Sequence, residues 1–127
     1  MKKQIEHVKH FHESFGIQNE SNPNGNISRK TFLLRHRLMS EENEEYLEAC
    51  ENEDLVEIAD ALGDMMYILC GTILSHGLQD KITLVFDEIQ RSNMSKLGND
   101  GKPIYREDGK IMKGPSYFKP DIKSIIK

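Results

Sequence analysis

Eleven acidic side chains fall between Glu41 and Asp64, and no lysine or arginine occurs from residue 38 to residue 80. Few folds accommodate such a block, and its spacing is helical. Leu34, Leu38, Glu41, Glu45 and Ala49 follow one another at i, i+4, i+7, i+11 and i+15, with Glu42 beside them. A stripe that starts as leucine and faces a core therefore continues as glutamate. Glu44, Glu48 and Glu51 fall towards one edge and read as solvated surface. On the next segment Glu57, Asp60 and Asp64 share a face at i, i+3 and i+7, which runs on into Tyr67, Ile68 and Gly71. The pattern predicts two acid clusters entering a helical interior from neighbouring helices.

The same periodicity predicts four helices. The first covers residues 2–15, with Ile5, Val8, Phe11, His12 and Phe15 at helical spacing before Gly16. Residues 17–27, which include Asn22-Pro23-Asn24-Gly25-Asn26, read as a loop. Ser28 is a suitable N-cap for a second helix reaching about residue 50. Asn52 or Asp54 opens a third, ending near His76-Gly77. The fourth spans residues 79–97, with Ile82, Phe86, Ile89, Asn93 and Leu97 on one stripe expected to face inward. Short connections between the later helices favour antiparallel neighbours, so the expected fold is an all-α, antiparallel four-helix bundle.

After Leu97, glycines and prolines recur and no helix is expected. Residues 1–98 read as the bundle and residues 99–127 as a basic Gly/Pro-rich arm of the same domain, with a weak hairpin signal at Asp108-Gly109. The third helix is nonpolar nearly all round after Asp64. A single thin bundle covers such a helix poorly, so a homodimer or dimer of dimers (a homotetramer) is expected.

Charge is uneven along the 127 residues. Residues 1–98 carry 10 basic and 17 acidic side chains (−7), and residues 99–127 carry 7 and 4 (+3), for the net −4. An acidic body lacks the clustered cations that nucleic acid requires. The apolar run over residues 65–74 is too short to span a bilayer, so no membrane partner is expected. The first residues hold no apolar run after their lysines, and Cys50 and Cys70 fit no zinc spacing. A cytoplasmic location is the expectation.

Inward carboxylates without compensation are costly, and residues 38–80 offer no cation to pair with them. A divalent ion with oxygen ligands resolves this, and converging carboxylates suit Mg²⁺, or alternatively Mn²⁺. A ferritin-like di-iron site needs Glu-x-x-His motifs. None of the five histidines has glutamate three residues before it.

At this point the residues resemble a family. Glu41-Glu42-Asn43-Glu44-Glu45, eleven intervening residues, then Glu57-Ile58-Ala59-Asp60 looks like the EExxE…ExxD signature of the all-α nucleoside triphosphate pyrophosphohydrolases. That superfamily includes MazG-like proteins, dimeric dUTPases and phosphoribosyl-ATP pyrophosphohydrolases. Residues 11–16 and 86–96 extend the similarity towards both ends. The resemblance implies a Mg²⁺-dependent enzyme cleaving a nucleoside triphosphate substrate to the monophosphate and pyrophosphate. It further implies that Glu42, Glu45, Glu57 and Asp60 are metal ligands, and that Glu41 orients or deprotonates the attacking water.

For substrate, Asn93 on the fourth helix reads as a nucleobase or sugar contact, and Lys96 and Arg91 as phosphate contacts. Lys113 and Tyr117 in the arm are candidates for closing over the phosphates, as are Lys102 and Lys110. Two alternatives stay open: phosphoribosyl-ATP as the substrate, or a non-catalytic helical interaction module with an acidic patch.

Overall fold

The structure, a computed structural model, describes all residues 1–127. It is all-helical, with five helices and no strand: α1 (Lys2–Ser14), α2 (Arg29–Glu51), α3 (Leu55–Ser75), α4 (Ile82–Met94) and α5 (Ile122–Ile126). The chain divides into two compact units, Met1–Asp80 and Lys81–Lys127, so α4 groups with the residues expected to form the arm.

In the first unit α3 packs against both α1 and α2. The expected caps are in place. Ser28 Oγ accepts from Thr31 N at 3.2 Å, and Asp54 Oδ1 accepts from Glu57 N at 3.2 Å. The three-residue link between α2 and α3 is tight enough to hold Glu53 at a φ of 52°. Gly77 takes a φ of 68° after the C-cap of α3, where a Cβ would run into the Asn22 carbonyl. That close approach pins the loop: Glu20 N donates to Leu74 O, and Asn24 N to His76 O, at 3.1 and 2.8 Å. The core is small, comprising Ile5, Val8, Ala49, Ala61, Cys70, Ile73 and Leu74.

By length and mean hydropathy α3 would suffice to cross a membrane. It nevertheless carries Glu57, Asp60 and Asp64, and two helices pack on it. The expectation that no stretch is long enough considered only residues 65–74 and therefore understated this helix.

In the second unit α4 packs on α5. The hairpin signal corresponds to an isolated antiparallel bridge, Tyr105 with Ile111, closed by Arg106 N donating to Lys110 O at 2.7 Å. The expectation of no helix after Leu97 is corrected: Asp121 caps α5 by accepting from Ser124 N at 3.3 Å. The inward stripe assigned to α4 is also corrected. Ile82, Val85, Glu88 and Ser92 are its covered side, whereas Phe86 is 69% exposed and Ile89 and Asn93 are exposed too. The reason lies in Ser92 and Glu88, whose polar atoms bind the unit's own backbone at Phe118 O (2.8 Å) and Asp121 N (3.1 Å).

Candidate metal and catalytic site

The two acid clusters meet along the seam between α2 and α3, but the expectation that they enter the interior is corrected: Glu45, Glu57 and Asp60 are exposed, and of the α2 acids only Glu42 is partly covered. Carboxylate oxygens of Glu42 and Glu45 on α2 and Asp64 on α3 lie within 4.8 Å of one another. A second group, Glu45, Glu57 and Asp60, lines a cleft of about 450 Å³ together with Glu48, Ala49, Asn52 and Ala61. Glu45 belongs to both groups, so the seam is one continuous acidic surface.

Glu42 is the least solvated of these acids. Its Oε2 is buried with no hydrogen-bond partner. Burial raises its pKa above the ordinary 4.5, reinforced by the neighbouring carboxylates of Glu45, Asp64 and Asp60. An unpartnered carboxylate oxygen among like charges, with no lysine or arginine paired to it, fits a divalent cation with oxygen ligands. The α3 end of the seam is favourable for another reason. Glu57 sits in the first turn of α3, where the helix N-terminus stabilises negative charge, and Asp54 caps that turn.

The structure brings Glu42, Glu45, Glu57 and Asp60 to one seam and adds Asp64, which the ligand set derived from the motif omits. Its signal was present in the sequence: it completes the i, i+3, i+7 face with Glu57 and Asp60. Glu41 is exposed on α2 and lies outside both the close cluster and the cleft lining. The covered side of α2 is turned by about one residue from the expected stripe, through Arg35, Leu38, Glu42 and Ala49.

The residues suggested for substrate lie in the second unit. Arg91 is already engaged, pairing with Glu88 Oε1 at 2.7 Å and stacking 4.3 Å over the Phe118 ring. Its pairing holds the Glu88 carboxyl below the usual range. Asn93 is exposed rather than inward, and Lys96 is half-buried. Lys113 and Tyr117 are brought together, with the ammonium 4.9 Å over the ring.

A family model of phosphoribosyl-ATP pyrophosphohydrolases matches residues 8–93, which is 86 of 127 residues. The match includes every acid of the seam but stops short of Lys96, Lys113 and Tyr117. Among solved structures, 24 chains match. One is the crystal structure of a protein from Exiguobacterium sp. 255-15, named as a candidate NTP pyrophosphohydrolase, at 26% identity and a TM-score of 0.53. The alignment covers 97% of this chain and 93% of that one. No curated protein sequence matches. The acids of the seam fall within the matched segment, and the chain belongs to the phosphoribosyl-ATP pyrophosphohydrolase family, within the all-α NTP pyrophosphohydrolases that its paired acidic motifs resemble.

Proposed function

We propose that the chain is a Mg²⁺-dependent pyrophosphohydrolase that converts a nucleoside triphosphate to the monophosphate and pyrophosphate. The observation that carries this reading is the convergence of Glu42, Glu45 and Asp64 within 4.8 Å, continuous through Glu45 with a cleft that holds Glu57 and Asp60. These five carboxylates would hold the metal, with Mn²⁺ as an acceptable substitute. When bound, a divalent ion neutralises charge developing on phosphate oxygens and lowers the pKa of water.

The chain supplies the rest. Glu42 and Asp64 keep their oxygens turned to the seam, and α2 and α3 present them on packed helices rather than loops. Glu41, exposed on α2 beside Glu42, is the proposed acceptor of the attacking water's proton. Asn93, Lys96, Arg91, Lys113 and Tyr117 are the proposed substrate contacts. Arg91 meets a phosphate only while sharing its guanidinium with Glu88.

A homodimer or dimer of dimers belongs to the same proposal, with the antiparallel four-helix arrangement expected from the sequence. It is supported by the apolar side chains that one chain leaves uncovered, with Leu55 and Val56 each 76% exposed. Phosphoribosyl-ATP is the second substrate reading, favoured by the family whose model the chain matches. The test is pyrophosphate release across a panel of ribo- and deoxyribonucleoside triphosphates and phosphoribosyl-ATP, with Mg²⁺ titrated. Release from at least one substrate with saturable Mg²⁺ dependence supports the reading. No release from any of them overturns it.

A further inference from the structure

The charged residue most enclosed in the first unit is not an acid of the seam but Arg35, 7% exposed, on the covered side of α2. It has no carboxylate partner. Its Nε donates to Thr72 Oγ1 at 3.1 Å and its Nη2 to the Ile68 carbonyl at 2.9 Å. Thr72 Oγ1 itself donates to the same Ile68 carbonyl at 2.8 Å, so the three groups form a closed knot between α2 and α3. The knot lies beside Gly71. A Cβ there would collide with Arg35 Nη2 and stand 2.9 Å from Nε2 of His12, which is itself 2% exposed and donates through Nδ1 to Asn19 Oδ1 at 2.6 Å.

A buried guanidinium satisfied by neutral acceptors adds little net stability, and burial lowers its pKa from the ordinary value. Specifying a helix register is the best-attested use of such a group. The geometry here fits that use. Arg35 lies seven residues before Glu42, about two turns of α2. Ile68 and Thr72 lie four and eight residues after Asp64 on α3, which runs back along α2. The register that lets Arg35 reach Ile68 and Thr72 is therefore the one in which Glu42 and Glu45 face Asp64. A slip of one turn, about 5.4 Å, would break both arginine bonds and separate the acids. Like charges supply no attraction to hold that alignment unaided.

We propose that Arg35 is a positioning residue for the acidic seam: by holding the Ile68 carbonyl and the Thr72 hydroxyl, it sets the α2–α3 register that brings Glu42 and Glu45 to Asp64. This rests on the metal reading above.

The experiment measures Mn²⁺ affinity of the full chain by the electron paramagnetic resonance signal of free Mn²⁺, with melting temperature and far-ultraviolet circular dichroism alongside. Arg35→Met preserves length and removes both bonds. Gly71→Ala removes no polar group, and alanine is the better helix former, but its methyl displaces the guanidinium. Val8→Ala is the control, a destabilising core truncation on α1 that removes none of the hydrogen bonds of the knot. The expected result is helical protein in all three, with Mn²⁺ affinity reduced by about tenfold or more in Arg35→Met and Gly71→Ala, the range for lost supporting interactions around a metal site. Val8→Ala should melt lower yet bind Mn²⁺ as the wild type does.

If Arg35→Met fails to fold, Gly71→Ala decides the question alone. The proposal is overturned if either folded knot variant binds Mn²⁺ as tightly as wild type, or if Val8→Ala loses as much affinity as they do. A wild-type chain that binds no Mn²⁺ would instead take down the metal reading itself, and this inference with it.

Discussion

Replacing Glu42 with glutamine should make the metal-free protein more stable while removing its response to metal. Without an ion, Glu42 faces Glu45 and Asp64 within 4.8 Å, and its buried Oε2 has no partner. Two unit charges about 4 Å apart interact by about 1 kcal/mol in water and about 4 kcal/mol near a protein surface. Because Glu45 is exposed, the lower figure applies, giving about 1–2 kcal/mol of relief from both neighbours after solvent screening. The amide can also donate to the remaining carboxylates. For a chain of this size that relief is a rise of about 3–8 °C in Tm.

The sign with pH follows from the raised pKa of Glu42. A carboxyl raised in the folded state favours folding while protonated, fully so below the ordinary 4.5, and loses that contribution as pH rises through the raised value. The advantage of Glu42→Gln should therefore grow as pH rises through the raised pKa and vanish below about pH 4.5. Saturating Mg²⁺ should reverse the order, because a ligand at a hundred times its Kd stabilises the wild type by about 2.7 kcal/mol and the variant far less. Differential scanning calorimetry between pH 4 and pH 8, with and without Mg²⁺, reads all three. A variant less stable than metal-free wild type at neutral pH, or a difference independent of pH, would refute the reasoning.

Four other outcomes are expected. Glu41→Gln should lower turnover by about a hundred- to ten-thousand-fold while leaving Mn²⁺ affinity unchanged, as measured by paired kinetics and binding. Asp64→Asn should behave differently, losing Mn²⁺ affinity first and recovering part of its rate at high Mn²⁺. Asp54→Ala removes the cap on Glu57 N and should lower stability to urea by about 1 kcal/mol, with weaker metal binding because the first turn of α3 carries Glu57. Phe86→Glu should shift the molar mass from light scattering towards the single chain, since the wild-type ring is 69% exposed on α4.

Helix periodicity made the acid faces legible but not their rotation about the helix axis. Residues one apart differ by about 100° on a helix, and Leu34, Leu38 and Glu41 define a stripe nearly as regular as Leu38, Glu42 and Ala49. What selects the second is Arg35, whose side chain turns inward to Ile68 and Thr72. A charged residue is ordinarily counted as surface, so no reading by hydrophobicity would place it there. Asp64 was visible on its face, but the four-residue motif ends before it. On α4 the apolar spacing was real, yet the covered side is chosen by Ser92 and Glu88 binding backbone 26 and 33 residues away. The five-residue α5 is too short for periodicity to register and is marked only by its cap, Asp121. The Ser28 and Asp54 caps are local chemistry: Ser28 was readable in advance, and Asp54 was one of two candidates beside Asn52.

Glu45 is the acid shared by the close cluster and the cleft, and it gives the most direct test of the central claim. Pyrophosphate release from a nucleoside triphosphate should be followed as Mg²⁺ is titrated, for wild type and Glu45→Gln side by side. The account expects saturable Mg²⁺ dependence in the wild type, abolished by a chelator, and near-complete loss in the variant. Pyrophosphate release that is indifferent to Mg²⁺, or that survives intact in Glu45→Gln, would contradict it.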